Sequence, residues 1–142
     1  MSVHHILAEK GSHVDVIGSE ATLEDAVQIV GLKRIGAVPV VDQYGALRGI
    51  LSERDILRAM MRGAEALGDS VVTHMTADFT CCTLETPLVD VMDAMTNGRF
   101  RHMPVIDGAG LCGIVSIGDV VKQRLSEIEA ETDAMRVYIA TA

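Results

Sequence analysis

The feature that most constrains the fold is an internal repeat that covers most of the 142 residues. A shift of the sequence by 65 positions brings eight residues onto their own type, and after a one-residue gap at Ala46 a shift of 64 aligns five more. The pairs are Glu20/Glu85, Leu23/Leu88, Asp25/Asp90, Arg34/Arg99, Pro39/Pro104, Val40/Val105, Asp42/Asp107, Gly45/Gly110, Leu47/Leu111, Gly49/Gly113, Ile50/Ile114, Ser52/Ser116 and Asp55/Asp119. Because their order is kept, the chain is predicted to hold two copies of one unit, roughly residues 6–62 and 71–126.

Each copy has the same pattern of predicted elements. A short strand comes first, followed by a helix whose apolar residues recur with the spacing of one buried face. These residues are Leu23, Ala26, Val27 and Val30 in the first copy and Leu88, Val91, Met92 and Met95 in the second. Thr22 is predicted to cap the first helix, and Pro87 to take the first position of the second. The segments AVPVVD and HMPVID, then LRGILS and LCGIVS, are predicted to form hairpin strands, and a further helix begins at Ser52 and at Ser116.

This order gives two β-α-β-β-α motifs. The fold class is therefore α/β (α+β), with the two motifs packed as a pseudo-two-fold pair and followed by a C-terminal helix. We assign residues 1–62 to the N-terminal segment and first motif, 63–70 to a linker, 71–126 to the second motif, and 127–142 to the C-terminal helix extension. About 60 residues per motif is marginal for independent folding, so the motifs are expected to pack together.

The composition narrows the classes of function. The formal net charge is −8 and no basic run occurs, which argues against binding to nucleic acid or to an anionic membrane. The three cysteines are an odd number, and two of them are adjacent, so a disulfide framework is not expected. No signal segment or apolar run of membrane-spanning length appears. We expect a cytoplasmic protein with an aliphatic core.

The pairs Ser52-x-x-Asp55 and Ser116-x-x-Asp119 have two interpretations. Serine at the N-cap with an acidic residue three positions later is a capping box. The free N–H groups and positive dipole end of a helix N-terminus also suit phosphate, and an aspartate one turn further on can accept hydrogen bonds from both hydroxyls of a ribose. The two roles are compatible.

The ordered set of motifs, present twice, resembles the tandem cystathionine-β-synthase (CBS) domain pair, also called the Bateman module. The resemblance covers roughly residues 5–126. It implies a stand-alone pair, without a catalytic domain, that binds an adenosyl ligand such as AMP, ADP, ATP, NAD or S-adenosylmethionine and regulates a protein that the sequence does not identify. A ligand-free interaction or dimerisation module, whose motifs act only as helix caps, is the alternative.

The resemblance also implies a set of site residues. Ribose and phosphate would be held by Ser52, Arg54, Asp55, Arg101, His102, Ser116 and Asp119. The adenine slot would involve Val16, Ile17, Val38, Pro39, Thr80, Cys81, Met103 and Pro104, although any one of these taken alone is better explained as a core residue. With no tryptophan and only two tyrosines, the base is expected to be bound by shape and by main-chain hydrogen bonds rather than by stacking on Trp or Tyr.

The positive charges of this set are unequal between the copies. Arg54 of the first motif is matched by Gly118, whereas Arg101 and His102 of the second copy are matched by Gly36 and Ala37. Arginine can recognise a phosphate with two hydrogen bonds, but exposed arginines in an acidic protein can also be ordinary surface residues. The inequality suggests one stronger phosphate site.

The remaining patterns do not indicate catalysis. The histidines lack metal-ligand spacing, and neither a catalytic triad order nor a phosphate loop is present, so we expect no enzyme activity, no metal and no catalytic cofactor. After the second motif, Val121, Leu125, Ile128, Thr132, Met135 and Ile139 form a heptad-like seam. This segment is predicted either to fold back on its own domain or to pack against its mate in a homodimer.

Overall fold

The computed structural model describes residues 1–108 and 110–141 and contains two copies of one small α+β unit. The first copy holds β1 (Ile17–Gly18), α2 (Leu23–Lys33), β2 (Ala37–Val41), β3 (Leu47–Ser52) and α3 (Glu53–Met60). The second holds α5 (Leu88–Gly98), β4 (His102–Asp107), β5 (Gly110–Ser116) and α6 (Ile117–Thr141). Two further α-helices, α1 (Val3–Lys10) and α4 (Val71–His74), and a 3-10 helix (Ala64–Gly68) complete the chain.

The two sheets have the same construction. In the first, β1 is parallel to β2 and β2 is antiparallel to β3, with Ile17 opposite Val40. In the second, β4 is antiparallel to β5, and the predicted first strand is reduced to one parallel bridge between Cys82 and Val105. A shift of 65 positions takes Ile17 to Cys82 and Val40 to Val105. The two copies therefore repeat the same strand pairing as well as the same sequence pattern.

The helix starts follow the predictions with one exception. Thr22 caps α2, because its hydroxyl accepts the N–H of Asp25 and the Asp25 carboxylate accepts the N–H of Thr22. The prediction for Pro87 was wrong by one residue. Pro87 is the N-cap of α5 and not its first helical residue, while the Thr86 hydroxyl accepts the N–H of Thr83 at 2.9 Å.

The two short helices are exchanged between the copies. The N–H of Val3 donates to the carbonyl of Thr86 at 3.0 Å, which anchors α1 beside the start of α5. The N–H of Val71 donates in the same way to the carbonyl of Ala21, which anchors α4 beside the start of α2. Helix α1 therefore packs against the second copy although it precedes the first in the chain.

The glycines of the repeated strand motif make room for this exchange. A Cβ on Gly49 would lie 2.5 Å from Sδ of Met75, which follows α4. A Cβ on Gly113 would lie 2.8 Å from Cδ1 of Leu7 in α1. Each β-hairpin thus accepts a segment of chain that only a glycine allows to approach so closely.

Each copy has its own aliphatic core. Ala66 of the 3-10 helix and Val71 of α4 belong to the first core, so the segment predicted as a linker is partly structured. The fully or nearly fully buried residues of the first core include Leu23, Ala26, Val38, Val40 and Leu51, and those of the second include Val3, Ile6, Leu88, Val91, Met95, Met103, Val105, Val115 and Val120.

Helix α6 continues far beyond the second core. Its 25 residues correspond to about 37 Å at 1.5 Å per residue. Every residue from Ile128 to Thr141 is exposed, so this part of the helix does not fold back on its own domain as one interpretation proposed. Among the helices described, none combines the length and the apolar character needed to cross a bilayer.

Candidate functional site

A cavity of about 450 Å³ opens between the two copies. It is bordered by the junction of β3 and α3, the extended stretch after α4, and the turn between α5 and β4. The lining residues are Gly36, Ile50, Ser52, Glu53, Arg54, Asp55, Arg58, Thr76, Asp78, Phe79, Thr80, Gly98, Arg99, Phe100, Arg101 and His102. The volume lies within the range of about 300–1,000 Å³ that is usual for small-molecule sites.

Ser52 and Asp55 form a capping box at the start of α3. The Ser52 hydroxyl accepts the N–H of Asp55 at 3.2 Å, and Oδ2 of Asp55 accepts the N–H of Ser52 at 2.9 Å. The Ser52 hydroxyl also donates to the same Oδ2 at 3.0 Å. The capping interpretation is therefore confirmed here, and ligand binding by the pair stays a prediction.

The Asp55 carboxylate is placed where a ligand could reach its second oxygen. The residue is only 7% exposed, yet it lines the cavity. Its Oδ1 accepts one hydrogen bond, from Nη1 of Arg58 at 3.4 Å, and the Arg58 side chain is 73% exposed. Because this partner is solvated and distant, it can give way to hydroxyl donors of a ligand.

Four guanidinium groups line the same cavity, although the protein as a whole is acidic. They belong to Arg54, Arg58, Arg99 and Arg101, and the carboxylates that face them are those of Glu53, Asp55 and Asp78. Within residues 1–108 and 110–141, Arg58 alone of the four is within salt-bridge distance of an acid. Three guanidinium groups are therefore available to an anionic ligand.

His102 lies where the two copies meet. A Cβ on Gly36 would be 2.7 Å from both Cε1 and Nε2 of its imidazole, so the ring occupies the space over that glycine. Burial lowers the pKa of His102 below its ordinary value, and Lys10 and Arg101 add to this effect while Glu53 and Asp119 oppose it. Burial thus favours the neutral form of the ring in the absence of ligand.

Both phenylalanines of the chain, Phe79 and Phe100, line the cavity. The Phe100 ring lies across Gly98, where a Cβ would be 2.3 Å from Cε1. The prediction of a base held without stacking rested on Trp and Tyr alone and left out these two residues. Aromatic rings contribute about 1–3 kcal/mol per stacked base, so stacking is chemically available in this cavity.

The second Ser-x-x-Asp pair has the same local geometry but a different environment. The Ser116 hydroxyl accepts the N–H of Asp119 at 3.1 Å, and Oδ2 of Asp119 accepts the N–H of Ser116 at 2.9 Å. This Oδ2 also lies 2.7 Å from Nζ of Lys10. Burial raises the pKa of Asp119, but Lys10 and the Ser116 N–H together hold it below its ordinary value.

The cavity brings together six of the predicted site residues, which are Ser52, Arg54, Asp55, Thr80, Arg101 and His102. The others do not line it. Val38 and Met103 are 0% and 1% exposed inside the two cores, whereas Val16 is 41% exposed. Ile17, Pro39 and Pro104 are buried, Cys81 is exposed, and Ser116 and Asp119 lie at the second motif. Their role in binding stays a prediction.

Several lining residues were not predicted from the sequence. Arg58 had a usable signal, since it follows Asp55 by three residues and therefore shares its helix face. Arg99 had another, because the repeat matches it with Arg34, and in the structure both are helix C-caps in the left-handed conformation, with φ of 56° and 53°. No sequence signal pointed to Phe79 or Asp78. Their position depends on the pairing of Thr76, after α4, with Ile50 of β3.

The residues described offer little for metal chemistry. Within residues 1–108 and 110–141, no three His, Cys, Asp or Glu side chains form a group that could hold a metal ion. The cavity combines a buried carboxylate, a helix start, guanidinium groups and aromatic rings, contributed by two copies of one repeat. The chain is thus a tandem-repeat protein whose two copies line one cavity.

Comparison with known proteins specifies the family. Residues 11–62 and 68–126 each match the CBS domain, and the chain therefore belongs to the CBS domain family. It is similar to CBS domain-containing protein CBSX3, mitochondrial, from Arabidopsis thaliana, with 34% identity over 97% of this chain and 71% of that protein. Its fold resembles the CBS-domain protein ATU1752 from Agrobacterium tumefaciens, with a TM-score of 0.84, 40% identity and coverage of 87% and 92% of the two chains.

A more distant structure was solved with ligands. The CBS domain pair of protein MJ0100, in complex with 5-methylthioadenosine and S-adenosyl-L-methionine, has a TM-score of 0.77 and 23% identity. The match covers 87–89% of this chain and 98% of that one across two crystal structures. The chain is thus a CBS pair whose fold is shared with an adenosyl-ligand complex.

Proposed function

We propose that the protein is a regulatory sensor that binds one phosphorylated adenine nucleotide, such as AMP, ADP, ATP or NAD, in the cavity between its repeats. The observation that carries the proposal is the buried Asp55 carboxylate, which lines one cavity together with four guanidinium groups. The MJ0100 complex supports an adenosyl ligand at the level of the fold. The chain would act without catalysis, on a protein still to be identified.

In this proposal the ribose lies on Asp55. The helix start holds Oδ2 by two hydrogen bonds from Ser52, which fixes the plane of the carboxylate. Oδ1 then accepts the ribose hydroxyls in place of the long contact from Arg58. A hydrogen bond to a charged group contributes about 1.5–3 kcal/mol, so Asp55 would supply a large share of the affinity.

The phosphates would lie between the two copies. The positive end of the α3 dipole points to this cavity, and Arg54 follows the cap by two positions, while the N–H groups of Glu53 and Asp55 already donate to Gly36 and Ser52. Arg101 and His102 reach the same cavity from the second copy. An anion that binds all of these groups would tie the two copies together.

The base would bind between the stretch after α4 and the turn after α5. Phe79 and Phe100 offer aromatic faces there, and Thr80 offers a hydroxyl. Thr76 also lines the cavity, and its N–H and carbonyl both pair with Ile50, so the stretch that carries Phe79 is anchored to β3.

A site shared between two repeats provides a mechanism for regulation. A ligand shifts a conformational equilibrium only to the extent that it binds one conformation better. A nucleotide that requires groups from both copies meets this condition, because it binds only when the copies are correctly placed. The regulated partner would then recognise that arrangement.

A panel of ligands tests the proposal. Purified protein should be melted with AMP, ADP, ATP, NAD, S-adenosylmethionine and, as a control, GMP. A nucleotide at 100 times its dissociation constant adds about 2.7 kcal/mol to the free energy of unfolding, which is readily measured. A rise in melting temperature with at least one adenine nucleotide supports the proposal, and no response to any of them contradicts it.

A dimerisation module is the second candidate, and the exposed seam of α6 favours it. Leu125, Ile128, Met135 and Ile139 are 55%, 48%, 60% and 68% exposed, which is unusual for apolar side chains that recur on one helix face. A homodimer would bury them. A variant that lacks residues 129–142 tests this, and it keeps the buried Glu127. Light scattering should give the mass of a monomer for this variant. A variant that is still a dimer would contradict dimerisation through α6.

The two candidates are compatible, since a nucleotide sensor can also be a dimer. If the protein dimerises through α6 but its melting temperature responds to no nucleotide, its function is that of an interaction module alone. The cytoplasmic location also stays a prediction, and CBSX3 is described as mitochondrial.

A further inference from the structure

The second Ser-x-x-Asp motif contains a feature that the first lacks. The Lys10 ammonium lies 2.7 Å from Oδ2 of Asp119 and 3.0 Å from the carbonyl oxygen of Ile114. Both acceptors belong to the strand and helix start that would hold a ligand in this motif. In the first motif Oδ2 of Asp55 is the capping oxygen and the carbonyl of Ile50 accepts the N–H of Thr76. Lys10 therefore does not take the place proposed for the ribose on Oδ1, but it sets a positive charge directly beside that place.

Helix α1 brings Lys10 to this position. Val3, Ile6 and Leu7 are buried in the second core, and Lys10 is the last residue of the helix. Leu7 also packs over Gly113 of β5, three residues before that strand ends at Ser116. The ammonium is therefore carried by an anchored helix, and the Lys10 side chain is 40% exposed.

The corresponding position of the first motif has the opposite charge. Ser2 pairs with Pro87 just as Ser70 pairs with Thr22, which makes the segments after Ser2 and Ser70 counterparts. Eight residues after Ser2 is Lys10, and eight residues after Ser70 is Asp78, which lines the open cavity. The repeat therefore places an acid beside the first motif and a lysine on the second.

The second motif also lacks the positive groups that phosphate requires. Gly118 stands where the first motif has Arg54, and Gly36 and Ala37 stand where the other copy has Arg101 and His102. A nucleotide at this motif would meet a carboxylate that is already paired with an ammonium, and it would gain no guanidinium. Because a hydrogen bond to a carboxylate draws much of its strength from the charge, the pairing with Lys10 weakens the attraction of Asp119 for a ribose hydroxyl.

We propose that Lys10 is an internal ligand of the second motif, which closes it so that each chain binds one nucleotide at the first motif. The inference rests on the proposed function, because it assigns to Asp119 the ribose role proposed for Asp55. Helix α1 is then an inhibitory element of the second site, and loss of the Lys10 charge opens that site.

Nuclear magnetic resonance can observe the two motifs separately. Backbone amide signals of 52–55 and 116–119 should be followed during titration with AMP and, separately, with adenosine, which needs no phosphate contacts. In the wild type we expect only the first set to shift. In Lys10→Ala we expect the second set to shift as well, with affinity for adenosine raised about tenfold or more, corresponding to 1.4 kcal/mol.

Two variants serve as controls. Lys122→Ala removes another lysine ion pair with α1, to Glu9 at 3.5 Å, and should behave as the wild type. Lys10→Ala combined with Asp119→Ala should lose the new shifts. The inference is overturned if 116–119 shift equally in the wild type, or stay silent with adenosine in Lys10→Ala while 52–55 respond. Silence of both motifs in every protein overturns the proposed function and the inference with it.

Discussion

The imidazole of His102 occupies the space that a side chain at position 36 would need, because a Cβ on Gly36 would lie 2.7 Å from two of its ring atoms. Gly36 belongs to the first copy and His102 to the second. The contact therefore joins the two copies at the edge of the cavity that both of them line. A substitution at either residue should therefore change the affinity for the ligand.

Gly36→Ala should displace the His102 ring and weaken nucleotide binding. The new methyl group would collide with a half-buried imidazole, which must move into or away from the cavity. We expect the dissociation constant for AMP to rise about tenfold, or 1.4 kcal/mol, in a calorimetric titration. Gly31→Ala is the control: it lies in α2 with no atom within 4 Å, and it should bind normally and gain about 0.5–1 kcal/mol of stability. Equal AMP affinity in both variants would contradict the role of the contact.

The affinity for AMP should increase as the pH falls, because phosphate favours the protonated form of His102. Burial lowers the pKa of this ring in the free protein, so binding of an anion is expected to raise the pKa and take up a proton. Calorimetry near pH 6.5 in buffers of different ionisation enthalpy measures the uptake. The AMP phosphate titrates in the same range, at about pH 6, so the His102→Gln variant is the reference. Equal proton uptake in the wild type and the variant would exclude His102.

The same depressed pKa predicts how the stability of the free protein depends on pH. Below an ordinary value of 6.5 the unfolded chain binds the proton more readily than the folded chain does. The free energy of unfolding should therefore decrease as the pH is lowered through this value. Chemical denaturation of the wild type and His102→Gln at pH 7.5 and 5.5 should show a smaller decrease in the variant.

The ligand should be a phosphorylated nucleotide rather than a sulfonium compound. Four guanidinium groups line the cavity, and S-adenosylmethionine places a sulfonium cation where a nucleotide places phosphate. We expect ADP to bind about tenfold more tightly than S-adenosylmethionine, with an affinity that decreases as salt is added. Arg101→Gln should reduce the preference, whereas Arg62→Gln, outside the cavity, should not. Tighter binding of S-adenosylmethionine by the wild type would refute the assignment.

Cys82 should be inert to thiol reagents while the protein is folded. It is 5% exposed, and burial, with smaller contributions from Cys81 and Cys112, raises its pKa to about 12. The thiolate is the reactive form, so alkylation at pH 8 should modify the exposed Cys81 first and Cys82 only after unfolding. Mass spectrometry of peptides at timed intervals distinguishes the two. Equal alkylation rates at both cysteines would contradict the buried position of Cys82 beside Val105.

Local patterns predicted most of the fold. The repeat, the hairpin strands and the helix starts at Thr22 and Ser52 are set by residues close in sequence, such as the pairing of a serine with an aspartate three positions later. The adjacent cysteines also follow a local rule, since Cys81 is exposed and Cys82 is buried. Strand alternation carries that information within two residues.

Contacts between distant segments were not predictable in this way. The exchange of α1 and α4 depends on backbone bonds such as Val3 to Thr86, which no periodicity reveals. The ion pair of Lys10 with Asp119 follows from that exchange, and so does the position of Phe79. The candidate site was therefore predicted in part. Ser52, Arg54, Asp55, Thr80, Arg101 and His102 were identified from the sequence, whereas Arg58, Phe79 and other lining residues were not.

The central claim is that Asp55 holds the ribose of a nucleotide, and one calorimetric comparison tests it. Asp25 closes a capping box at α2 as Asp55 does at α3, but it does not line the cavity. Both Asp25→Ala and Asp55→Ala should therefore lose about 1 kcal/mol of stability from a weakened cap. Titration with AMP should give a wild-type dissociation constant for Asp25→Ala and one at least about tenfold weaker for Asp55→Ala. Equal affinity in the two variants would contradict the account.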